Sequence, residues 1–249
     1  MDDRPALSLA ERIAAAQAWW REAGVDYAYA DEPRAWLTEP AGEPAPSPAV
    51  REAVAAPPPP PAIGGDRAGW PQDLAAFGRW WLEEPGLDEG GSWPRVAPRG
   101  PAGARLMLLA PMPEADDRDA LLGGPQGRLL ASFALAAGLE PEAVYWAAAL
   151  PRHTPLPDWP RLAADGLGEV LRHHIALASP QRLIVLGRDV LPLLGHDPAQ
   201  ASPAVSELEI QGGKLELLAS FSPARLLDGA RQRADLWRRW LEWTEGDEG

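Results

Sequence analysis

Apolar residues recur along this chain in two kinds of pattern, one helical and one made of short unbroken runs. Ser8 stands three residues before Glu11, the spacing of a capping box. Leu9, Ile13, Ala16, Trp19 and Trp20 then fall at helical intervals, and Gly24 ends the pattern. A short segment carrying Tyr27, Tyr29 and Trp36 follows. Helical spacing returns over residues 70–84, with Leu74, Phe77, Trp80 and Trp81 on one side. Runs at 105–110 (RLMLLA), 143–150 (AVYWAAAL) and 182–186 (RLIVL) are apolar and short, as strands buried on both faces are. Helices are expected at 127–137 and 162–178, with a short one at 189–194. Residues 206–211 and 214–220 read as two strands about Gly212 and Gly213, and 231–243 as a last helix. Strands alternating with helices predict an α/β fold, a three-layer α/β/α domain with a mostly parallel central sheet.

Proline changes this picture by dividing the chain. Of its 249 residues 29 are Pro, and five of them run from Pro57 to Pro61. Such a run favours extended polyproline II, a semi-rigid spacer. The expected organisation is a helical arm at 1–37, a Pro-rich linker at 38–69 and a folded domain at 70–246. Charge narrows the partners. The formal net charge is -13, which excludes a generic basic nucleic-acid coat. One stretch departs from it: residues 221–240 hold Arg225, Arg231, Arg233, Arg238 and Arg239 against Asp228 and Asp235, a local charge of +3. No residue is Cys, so disulfides, a thiolate nucleophile and Cys-held metals are excluded. His173 and His174 are adjacent and diverge by ~100° on a helix; with His153 and His196 they form no convergent ligand set, and no metal is expected. No apolar run approaches the ~20 residues of a membrane helix, so no membrane partner is expected. The N-terminus starts acidic and lacks the basic and apolar regions of a signal peptide, and a cytoplasmic location is expected.

The order of local motifs carries more. The first apolar run ends in Leu109-Ala110-Pro111-Met112. Asp116 and Asp117 follow, then Gly124-Pro125-Gln126-Gly127-Arg128-Leu129-Leu130 at the mouth of a helix. The second run ends in Ala147-Ala148, before Pro151 and Pro155. Residues 171–187 (LRHHIALASPQRLIVLG) form a helix, Pro, strand, Leu-Gly segment. Ser222-Pro223-Ala224-Arg225-Leu226-Leu227 precedes the last helix. In this order the segments resemble the uracil-DNA glycosylase superfamily, most closely the branch that carries a four-Cys iron–sulfur cluster. The arm (AWWREAGVD) is similar to a helix that precedes the domain in some bacterial members.

The resemblance implies a pocket that takes a flipped base and stabilises the departing uracil anion. It places Leu109 where the family has an acidic or amide side chain, and Met112 where it has the Gly that admits the base. Leu122 stands for the stacking aromatic, Ala148 for the Asn that reads the uracil edge, and Ser222 for the His that donates to the base. Losing one oxyanion-type donor costs ~100–1,000-fold in rate, and several are missing together. The expectation is a catalytically inactive remnant pocket at Leu109, Ala110, Pro111, Met112, Asp116, Asp117, Leu122, Ala148 and Ser222, and no cofactor, since no Cys can hold the cluster. DNA contacts are expected at Gly124, Gly127, Ser222, Pro223, Arg225 and Arg231. Trp19, Trp20 and Trp36 either fold back or grip a partner. The arm-plus-domain layout is similar to that of the psi subunit of the bacterial clamp loader, which implies a replication or repair protein as partner. The alternatives are an active glycosylase using Asp116 or Asp117 with Ser222, and a small-molecule or nucleotide-binding protein that kept the pocket and lost the chemistry.

Overall fold

A computed structural model of the chain describes residues 8–24, 62–197, 205–210 and 213–245. Trp36 and most of the expected linker lie outside the described residues. The chain divides into two units, Met1–Ala56 and Pro57–Gly249. In the first, α1 (Leu9–Glu22) begins with the expected box: Ser8 Oγ accepts from the Glu11 amide, and the Ser8 amide donates to the Glu11 carboxylate. The Ser8 hydroxyl and the Ser8 amide, both donating to the Glu11 carboxylate, hold that carboxyl below its ordinary range. Every residue of α1 is exposed, Trp19 and Trp20 included.

The second unit is built on a five-stranded sheet of β1 (Leu106–Ala110), β2 (Val144–Ala148), β3 (Leu183–Leu186), β4 (Val205–Ile210) and β5 (Gly213–Ser220). The order is β2-β1-β3-β5-β4, parallel except for the antiparallel β4–β5 pair at one edge. β1, β2 and β3 are buried throughout, which is why they read as unbroken apolar runs. Alternate residues still choose opposite faces. Leu109, Tyr145, Val185 and Leu217 pack with Leu171, Ile175 and Val190, from α5 (Leu167–Ala178) and the 3-10 turn Arg188–Leu194. Leu108, Trp146, Ile184 and Leu218 pack with Leu130, Leu226 and Trp240, from α3 (Pro125–Ala136), α6 (Pro223–Asp228) and α7 (Ala230–Thr244). The architecture is the expected three-layer α/β/α domain. Among the described residues, no helix is long and apolar enough to cross a membrane.

Several boundaries differ from the expected ones, each for a local reason. The helix expected from residue 70 begins four residues later as α2 (Leu74–Glu83), because the Asp73 side chain caps it by accepting from the Ala76 amide. The helix expected over 162–178 is two. α4 (Trp159–Ala164) and α5 are separated at Gly166, whose φ of +96° suits glycine. The domain also begins before residue 70. The Ile63 amide donates to Asp165 and the Gly64 amide to Gly86, while Trp70 Nε1 donates to the Gly64 carbonyl at 2.7 Å. Residues 95–99 cover the outer edge of β2, with Val96 donating to Pro151 and Arg99 exchanging both backbone bonds with Trp146. That edge is thereby closed to pairing with another chain.

Candidate functional site

In an open α/β sheet, ligands bind beyond the carboxyl ends of the strands, where the strand order reverses. Here β1 lies between β2 and β3, so the reversal falls between the ends of β1 and β3. The loop after β1 begins at Pro111, and the loop after β3 begins at Gly187. They meet: a Cβ on Gly187, whose φ is +119°, would stand 3.0 Å from Pro111 Cγ and 3.7 Å from Ser222 Cβ. The Gly187 amide donates to the Ser220 carbonyl, and Leu150 donates to the Pro111 carbonyl. Pro111, Gly187 and Ser222 thus meet at the crevice position between β1 and β3, with Met112 next along the first loop and Leu150, at the start of the loop after β2, bonded to Pro111.

The remnant pocket positions separate into two groups. Leu109 and Ala110 are completely buried, and Leu122 and Ala148 are 2% exposed. Leu109 belongs to the core on the α5 side, Ala110, Leu122 and Ala148 to the core on the α3 side. These four, expected at a remnant pocket, are packed in the protein's two cores, where each apolar side chain gains packing area. Pro111, Met112 and Ser222 are half-buried and remain at the crevice, with Met112 leaning on the core. Ser222 stands at the start of α6, and its side chain makes no capping bond.

The acidic residues also part ways. Asp116 is exposed, whereas Asp117 is 5% exposed and accepts from the amides of Glu114, Leu122 and Gly123 at 2.7–2.9 Å. Its carboxylate holds the loop in shape, including Leu122 at φ +53°. Glu114, which the sequence reading passed over, is 8% exposed. Its carboxylate accepts from Gly124, Gln126 and Gly127 at 3.0–3.1 Å. An anion is therefore already seated on the amides that open α3. At Gly124 and Gly127, where a phosphate contact is expected from sequence, the amides donate to Glu114. Both glycines are needed for close approach, since a Cβ on Gly127 would lie 1.7 Å from the Leu122 carbonyl oxygen and one on Gly124 2.6 Å from the Glu114 carboxylate.

The basic stretch is mostly engaged. Arg233 donates to the carbonyls of Leu226 and Leu227. Arg238 pairs with Asp235 and Glu242, and Arg239 with Asp235. Arg225 and Arg231 are exposed and make no ion pair among the described residues. Arg225 lies in α6, three residues from Ser222; Arg231 lies in the first turn of α7. Pro223 is buried and opens α6 rather than facing out. Arg188, next to Gly187, is a further exposed cation that the sequence reading passed over; its place after the Leu-Gly strand end was the available signal.

One imidazole reaches the same end of the sheet. His153, in the loop after β2, donates from Nδ1 to the Pro113 carbonyl at 3.0 Å, because a carbonyl only accepts. That bond fixes the neutral tautomer with its lone pair on Nε2. Trp93 sets the ring edge-on at 5.0 Å. The neighbouring Arg152 donates to Asp88, which also pairs with Arg95, and to the carbonyls of Gly91 and Trp93. Burial raises the Asp88 carboxyl, but the bonds from Arg95 and Arg152 outweigh it and hold the group below its ordinary range. This clasp ties segment 88–95 to the loop that carries His153.

The other histidines serve the scaffold. His173 donates from Nε2 to the Pro71 carbonyl at 2.6 Å. His174 is fully buried, shares a 2.8 Å hydrogen bond with the Tyr145 hydroxyl and stacks on Phe77 at 4.3 Å. Burial, helped by His173, pushes its pKa down to about 3, and burial also raises the Tyr145 phenol. Both groups are neutral. Among the described residues, no group of three or more His, Asp or Glu could hold a metal, and the thiolates that a four-Cys cluster needs are missing from the sequence.

Compared with known proteins, the chain matches no curated protein. The family model for the uracil DNA glycosylase superfamily matches residues 97–244, more than half of the chain. The matched span starts at the segment that closes the β2 edge and runs through all five strands to the end of α7. With the parallel sheet, the crevice between β1 and β3 and the Ser-Pro turn into α6, it shows that the chain belongs to the uracil DNA glycosylase superfamily.

Proposed function

We propose that this protein is a non-catalytic member of its superfamily that binds nucleic acid or a protein in DNA replication or repair. The observation that supports it is the filling of the pocket: Leu109, Leu122 and Ala148, at the positions of the family's chemical groups, are buried in the core. A base cannot meet side chains that the protein has buried in the cores on either face of the sheet. Exposed Arg188, next to Gly187, and exposed Arg225 and Arg231, in the two helices that follow Ser222, favour a single- or double-stranded DNA backbone as ligand. The exposed Trp19 and Trp20 favour a protein partner for the arm, since large aromatics are common anchors at interfaces. The test combines two measurements on the full chain. Uracil release from single- and double-stranded DNA is expected at background level. Binding to the same DNA is expected to weaken with salt, and the slope of log K against log salt to fall by about one for each of Arg225→Ala and Arg231→Ala. Slopes that do not change would overturn the DNA contact.

His153 favours a second reading, an active glycosylase with a rearranged site. Its fixed Nε2 lone pair is a hydrogen-bond acceptor in the neutral ring and a donor once protonated. It stands on the loop after β2, where an imidazole lost at Ser222 could be replaced from another direction. Uracil release that disappears in His153→Gln or Ser222→Ala would support this reading and sink the first.

A further inference from the structure

Beyond the crevice, the loop after β2 carries a residue that neither reading uses. Leu156 is 98% exposed and has a φ of +52°. A left-handed backbone is an outlier for leucine, and here Pro157 adds to the cost, because a residue before proline favours extended conformations. The large apolar side chain is thus held out in water by an unfavourable backbone. Leu156 lies on the lip of a groove of about 480 Å³, within the ~300–1,000 Å³ range of ligand sites. Ile63, Leu87, Leu150 and Leu162 provide the apolar lining.

The rim fixes the kind of occupant. Glu89, Asp158 and Asp165 border the groove, against one cation, Arg161. Arg161 is shared between Glu89 at 2.6 Å and Asp165 at 3.5 Å, so two net negative charges remain. Asp88, also on the rim, is already neutralised by Arg95 and Arg152. Pro151 and Pro157 in the wall have no N–H to donate. The surface therefore offers acceptors and negative charge around apolar area. A nucleic acid would bring phosphates to carboxylates, and the field repels it. A peptide that places leucine-like side chains between arginines or lysines matches both the apolar lining and the charge.

From this complementarity we infer that the groove between residues 86–90 and 150–165 docks an apolar, basic peptide segment of a partner protein, with Leu156 as the anchor that packs over it. None of Arg188, Arg225 and Arg231 lines the groove, so the peptide and the DNA proposed above take different residues.

The experiment uses the full chain and a library of short labelled peptides with two leucines flanked by arginines, alongside the same peptides with glutamates for arginines. Enrichment of the arginine set is expected, with binding of the best peptide read by fluorescence anisotropy. Leu156→Gly removes the anchor and suits the left-handed backbone, so the variant folds at least as well and binds at least about tenfold more weakly. The double variant Glu89→Gln, Asp158→Asn lowers affinity and its salt dependence, while Asn keeps the cap on α4. The proposal is overturned if neither peptide set binds, if the glutamate set binds equally, or if Leu156→Gly binds as the parent does. It is overturned as well if a single-stranded oligonucleotide binds the parent and Leu156→Gly abolishes that binding, which would make Leu156 a wedge between bases.

Discussion

Acidification will destabilise this protein through His174. The imidazole is fully buried between Phe77 and Tyr145, and its native pKa is about 3, against about 6.5 in an unfolded chain. The native state thus binds fewer protons than the unfolded state between these values, so stability falls as pH falls. Each pH unit below about 6.5 removes ~1.4 kcal/mol until the native group itself titrates. At pH 4.5 the loss from this one residue is about 2–3 kcal/mol, a large share of the ~5–15 kcal/mol a domain has. Urea unfolding followed by tryptophan fluorescence at pH 7.0 and at pH 4.5 measures it, with His174→Gln as reference. The variant is less stable at pH 7 because it loses the stack on Phe77, but its further loss on acidification is smaller than the parent's by about 2–3 kcal/mol. Groups other than residue 174 are common to both proteins and cancel in the difference. Equal losses in parent and variant would refute the reasoning, since they would mean that His174 is protonated in the native state at no cost.

Other substitutions probe the loops around the crevice. Glu114→Ala leaves three amides at the start of α3 without their acceptor and is expected to cost about 2–4 kcal/mol in denaturant unfolding, where a surface carboxylate would cost under about 0.5. Gly127→Ala drives a methyl into the Leu122 carbonyl oxygen and is expected to lower stability by at least about 3 kcal/mol, or to prevent folding, as read by circular dichroism and yield. Asp88→Asn leaves two mostly buried guanidiniums without their carboxylate; a cost of about 2–4 kcal/mol is expected in thermal unfolding. Because the Asp88 carboxyl is held below its ordinary range, the stability it lends is present above the unfolded pKa of about 4 and is lost as pH falls through the native value.

Much of this fold was legible because its core strands are buried on both faces. Residues 105–110, 143–150 and 182–186 show unbroken apolar runs, and Gly or Pro nearby marks their ends. The capping box at Ser8 was equally clear, since both partners lie within one turn. What stayed hidden depends on contacts distant in sequence or too short to show a period. α6 spans six residues, under two turns, and gives no helical stripe. The break at Gly166 sits inside a pattern whose apolar spacing continues across it. In the site, an acidic pair at 116–117 drew attention from Glu114, whose partners are 10–13 residues away. The two arginines that make no ion pair among the described residues, Arg225 and Arg231, were singled out from sequence, but which of the five cations would be consumed by neighbours followed only from the packing of α6 and α7. Tyr145 and His174, 29 residues apart, meet only because β2 and α5 are stacked.

On the proposed function, the fold kept its surface and lost its chemistry. The most direct test is single-turnover release of uracil from a labelled single-stranded oligonucleotide with the full chain in excess, followed over hours. The account predicts release no faster than in protein-free buffer, while the same oligonucleotide is bound in a salt-dependent manner. Release above that background, removed by His153→Gln or Ser222→Ala, would contradict it.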